Sequence, residues 1–87
     1  MVEKNLQRRC KMNFPEEMRK IRQCLFMTQE DFAKEIGVAF STVNRWEGGK
    51  AKPSLHAMKS IKEFCLKHEI DFTAANEAWL DYKAEGK

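Results

Sequence analysis

Two short helical runs meet at a single glycine, and this junction constrains the chain more than any other feature. Residues 28–36 read as one helix and residues 40–46 as the next, with only Gly37, Val38 and Ala39 between them. A turn this short makes the second helix leave at a steep angle to the first, ~90–120°. Gly37 suits the corner because glycine takes the left-handed backbone that ends a helix. Phe32, Ala33 and Ile36 line one face of the first run, and Val43 and Trp46 one face of the second. Ala33 is small enough to let the second helix approach. Val38 and Val43 fill the angle between the two.

The flanking segments read as helix too. Two prolines and four glycines are all that punctuate the chain, and β-branched residues never alternate for long. Asn13-Phe14-Pro15 opens a first helix, since proline is tolerated where a helix's first N–H groups have no partner. Glu16 and Glu17 then face the positive end of the helix dipole, with Arg19, Lys20 and Arg22 further along. Met18, Ile21 and Leu25 form its apolar stripe. Thr28 through Asp31 has the spacing of a capping box, with aspartate at its last position. Gly48-Gly49 closes the 40–46 run. Ser54 caps a fourth helix to about His68, with Leu55, Met58, Ile61 and Cys65 facing inward. A last helix is expected over about 73–83, with Ala75, Trp79 and Tyr82 on one side. The expectation is an all-α, compact five-helix domain over 13–87, its motif at 28–47, preceded by a flexible basic segment at 1–12.

Size and charge exclude other classes. A chain of 87 residues holds one core, and one this small leaves little room for a deep catalytic cavity. No apolar run reaches the ~18–20 residues needed to span a bilayer, and the start has no apolar signal region. The three cysteines are an odd number without a CxxC, which suits a reducing, cytoplasmic compartment better than a disulfide framework. Cys24 and Cys65 sit among apolar residues and read as small core side chains, with Cys10 exposed. The net charge of +3 is unevenly spread. Residues 1–27 carry seven Lys/Arg against three acids, 28–53 four of each, and 54–87 five against six. A mildly basic start does not establish polyanion binding, so pattern must carry the argument.

That pattern resembles the phage-repressor-like (Xre-type) helix-turn-helix family. The resemblance covers residues 15–68. It rests on Thr28-Gln29-Glu30-Asp31-Phe32-Ala33, Ile36-Gly37-Val38, Ser41-Thr42-Val43, Arg45-Trp46-Glu47, Gly49-Lys50 and Pro53-Ser54, all in register. It implies a cytoplasmic, non-enzymatic DNA-binding regulator from a bacterium or mobile element. Such a protein acts as a homodimer on half-sites ~34 Å apart. Base edges would fall to Phe40, Ser41, Asn44 and Arg45, and phosphates to Thr28, Gln29, Ala39, Lys50 and Lys52. Arginine can fork onto guanine and Asn44 can pair with adenine or else face a phosphate, whereas Phe40 offers only an apolar contact to a thymine methyl or a sugar. Arg22 and Glu47 match a structural ion pair. Three positions depart from the family: Ala39 lacks the usual capping hydroxyl, Phe40 replaces a polar reader, and Gly48 replaces an asparagine.

The other segments have plainer readings. Trp46 shares the buried face with Val43. Met12, Met18, Met27 and Met58 read as core fillers. Cys65 and His68 are three apart, but two ligands do not make a structural zinc site, and no metal or cofactor is expected. No nucleophile, base and orienting group come together. Gln7-Arg8-Arg9-Cys10-Lys11 reads as a solvated terminus, or else as an arm along DNA. Trp79, Leu80 and Tyr82 either complete the core or mark a contact with a protein partner. The second option makes an antitoxin-like or adaptor module of the same fold the rival reading.

Overall fold

Local capping chemistry sets where each helix begins. The computed structural model describes residues 12–83. They form α1 (Phe14–Cys24), α2 (Gln29–Ile36), α3 (Phe40–Glu47), α4 (Leu55–Lys67) and α5 (Thr73–Asp81), with no strand among the described residues. The expected basic segment at 1–12, with Cys10, lies outside them except for Met12. At α1, Asn13 Oδ1 accepts from the Glu16 N–H at 3.0 Å, and Glu16 Oε1 accepts from the Asn13 N–H at 3.1 Å. This reciprocal pair satisfies two otherwise open donors. At α2, Thr28 Oγ1 accepts from the Asp31 N–H at 3.0 Å. At α4, Ser54 Oγ accepts from the Ala57 N–H at 3.1 Å. Helix α3 starts at Ala39 with no side-chain cap bond.

Glycine carries the corner. Gly37 adopts φ +80°, and its N–H and that of Val38 both donate to the Ala33 carbonyl at 2.9 Å. The same left-handed conformation occurs at Phe26, φ +56°, in the turn between α1 and α2. There it falls on a bulky side chain that is almost wholly exposed. Holding an L-residue in this region costs ~1–2 kcal/mol.

One core joins all five helices. Phe14, Met18 and Ile21 come from α1, Phe32, Ala33 and Ile36 from α2, and Val43 and Trp46 from α3. Met58, Ile61, Phe64 and Cys65 come from α4, and Ala75 and Ala78 from α5. Phe32 and Phe64 meet edge to face at 5.1 Å between ring centres, a favoured aromatic geometry. Helix α2 packs on α3 and α4, and α1 packs on α3 and α5.

Two expectations need correction. Leu55 does not face inward: it is 74% exposed. As the first residue of α4 it precedes the turns that lie against α2, and Phe64 takes the inner position instead. Cys24 is exposed rather than a core residue. It ends α1, where Leu25 turns in to pack against the core. Cys65 is buried as expected, and its desolvation pushes the thiol pKa up to about 11, with Cys24 and Asp71 adding smaller upward effects. Burial of this kind leaves a thiol inert. Among the described residues, no helix is long and apolar enough to cross a membrane.

Candidate nucleic-acid interface

The period of α3 divides it into two faces. Val43, Trp46 and Glu47 are buried, so residues one or two positions away in sequence must turn outward. Phe40, Ser41, Asn44 and Arg45 are all exposed along one side, with Phe40 at 51%. The Arg45 guanidinium has no hydrogen-bond or ion-pair partner among the described residues. Its fork is therefore open to a ligand. With no acceptor at Ala39, the first N–H groups of α3 lack a side-chain partner as well.

The direction of that outer face is set from behind by Glu47. Its side chain is 3% exposed, a costly place for a charge without partners. Arg22 supplies them, with Nε donating to Oε2 at 2.7 Å and Nη2 to Oε1 at 2.8 Å. The hydrogen bond to Glu47 is the main influence raising the Arg22 pKa above its ordinary value. Burial opposes it, and the Glu47 charge adds to it. Arg22 Nη1 also donates to the Met27 carbonyl at 2.8 Å, which ties down the start of α2. One guanidinium thus joins α1, the entry to α2 and the end of α3.

Gln29 extends this cluster to the surface. Its Nε2 donates to Glu47 Oε1 at 3.0 Å, and its Oε1 accepts from Asn44 Nδ2 at 3.1 Å. Thr28, beside it, is exposed, though its hydroxyl oxygen is occupied by the α2 cap. Arg19 adds a bond from Nη2 to the Glu47 carbonyl at 3.1 Å. Sequence reading missed Arg19, although it lies three residues before Arg22 and so on the same side of α1. The bonds from Gln29 to Glu47 and Asn44 join residues 18 and 15 apart and left no periodic signal.

The lysines beyond α3 differ from each other. Lys50 is exposed just past the helix, and its N–H donates to the Arg45 carbonyl at 2.9 Å. Lys52 is drawn back onto the protein. Its Nζ donates to the Tyr82 carbonyl at 2.9 Å and sits 4.8 Å from the centre of the Trp79 ring. In this arrangement its charge is directed at the chain's own C-terminal segment.

The C-terminal trio separates in the same way. Trp79 Nε1 donates to the Pro53 carbonyl at 2.9 Å. Tyr82 donates its hydroxyl to the Gly49 carbonyl at 3.4 Å, and its ring lies 6.0 Å from that of Phe14. Only Leu80 points away, at 64% exposure. Among the described residues, no three His, Cys, Asp or Glu side chains gather as a metal site.

A helix-turn-helix family model matches residues 18–65. The HTH-type transcriptional activator BcrR of Enterococcus faecalis is 32% identical over 53 residues, covering 61% of this chain and 26% of that protein. The chain therefore spans a minor part of that relative's length. No solved structure matches the chain.

Proposed function

The chain belongs to the Xre-type helix-turn-helix family, and on that premise we propose that it is a sequence-specific double-stranded DNA-binding protein acting in transcriptional regulation. Helix α3 enters the major groove. Arg45 reads a guanine through its two-pronged fork, Ser41 contacts a neighbouring base edge, and Phe40 packs on a thymine methyl or a sugar. Thr28 and Gln29, at the start of α2, meet a phosphate where the backbone N–H groups and the helix dipole favour an anion. Lys50 adds charge on the far side of the groove, and the first turn of α3 at Ala39 offers backbone N–H groups. Two copies bind half-sites ~34 Å apart.

The observation that carries this reading is the outward face of α3: Ser41 and Arg45 are exposed on a helix whose back is tied down by the Glu47–Arg22 pair. The role of the transcriptional activator similar to this chain agrees with it.

The test is selection of bound duplexes from a random pool at a stated salt concentration. Wild-type protein should enrich one motif in two symmetric halves, and affinity should fall steeply with salt. Arg45→Ala should weaken binding by ~1–3 kcal/mol and relax preference at one base pair. An unenriched pool would refute the reading.

A further inference from the structure

If Gln29 meets a phosphate, something must aim its amide. A glutamine amide has a donor edge and an acceptor edge of nearly equal size. With its oxygen turned outward it would repel a phosphate, so a useful contact needs that oxygen held elsewhere. Here Glu47 Oε1 takes one Nε2 proton at 3.0 Å, and Asn44 Nδ2 donates to Oε1 at 3.1 Å. The buried carboxylate accepts only, so it fixes the nitrogen edge against itself. Arg22 clamps that carboxylate through both oxygens. Asn44 then captures the oxygen edge. One Nε2 proton of Gln29 remains, while Oε1 is held by Asn44.

Position argues the same way. Asn44 is exposed on α3, but its amide points back across the α2–α3 angle to Gln29. Arg45, next to it, makes no such bond. Resting on the DNA-binding reading, we infer that Asn44 is a positioning residue which holds Gln29 as a phosphate donor, not a reader of base edges. Gln29 and Asn44 work as one unit on a backbone phosphate, and sequence preference falls to Arg45 and Ser41.

A positioning residue and a base reader differ in a measurable way. Loss of a phosphate contact weakens every duplex equally, whereas loss of a base contact changes which duplex is preferred. The experiment repeats duplex selection and affinity measurement with wild type, Asn44→Ala, Asn44→Asp, Gln29→Ala and the Gln29→Ala/Asn44→Ala double variant. Thermal melts confirm that each is folded. Asn44→Ala should lose ~3–10-fold in affinity, the worth of a hydrogen bond, on enriched and scrambled duplexes alike. Its enriched motif should match that of wild type. The double variant should be no weaker than Gln29→Ala alone, because the two residues act through one contact. Asn44→Asp should lose more than Asn44→Ala, since it turns an acceptor towards Gln29 Oε1 and a negative charge towards the phosphate.

If wild type enriches a motif and Asn44→Ala shifts it at one base pair, DNA binding stands and the positioning role is overturned. Losses that multiply in the double variant also overturn it. If wild type enriches nothing, the DNA-binding reading falls first and this assignment with it.

Discussion

The two halves of this molecule are held by different forces. Where α1, α2 and α3 converge, a buried carboxylate, two arginines and two amides form a connected hydrogen-bond cluster. Where α4 packs on α2 and α5 on α1, the contacts are mostly apolar, built on Phe64, Ile61, Ala75 and Ala78, with a few hydrogen bonds such as Trp79 to the Pro53 carbonyl at the edge. The outward side chains there, Leu55, Leu66 and Leu80, are largely exposed. Apolar burial is strong but has no direction. Hydrogen bonds contribute less net energy but fix where atoms point. The first half therefore aims side chains, and the second supplies stability.

Substitutions can break or sharpen that contrast. The largest effect should come from Phe64→Ala, which opens a cavity against Phe32 and should cost ~3–5 kcal/mol in chemical denaturation. If the division holds, DNA affinity of the remaining folded protein should barely change. Glu47→Ala should cost ~3 kcal/mol, because it strands the Arg22 charge. Unlike Phe64→Ala, it should also weaken DNA binding beyond what unfolding explains, since Gln29 loses its anchor. Ala39→Ser should stabilise by ~1 kcal/mol by supplying the missing α3 cap, read as a raised melting temperature. Leu66→Lys should change stability by no more than ~0.5 kcal/mol, because the side chain is already in water. A large loss there would show that the second half depends on more than its inward face.

The parts of this structure legible in the sequence are those with a local cause. Gly37, Thr28 and Ser54 act within three or four residues, and each stands where its chemistry required. Trp46 was legible because it repeats the spacing of Val43. Leu55 misled because helical spacing does not say where along a helix its neighbour begins. Cys24 misled because apolar neighbours in sequence stand in for burial only inside a helix, not at its last residue. The capping box at Asn13 has a local cause too, in residues 13 and 16, but the proline between them is the stronger signal of a helix start. The cluster at Gln29, Asn44 and Glu47 and the capture of Lys52 by Tyr82 needed coordinates. Each joins segments whose approach depends on the packed helix angles.

The central claim is that the outer face of α3, aimed by Glu47, is the surface that meets DNA. Its most direct test is to follow backbone amide chemical shifts while titrating the protein with its selected duplex. The account predicts that the largest shifts cluster at residues 28–29 and 39–50, with α4 and α5 nearly silent. Shifts concentrated at Leu55, Leu66 and Leu80, with Ser41 and Arg45 unmoved, would contradict it.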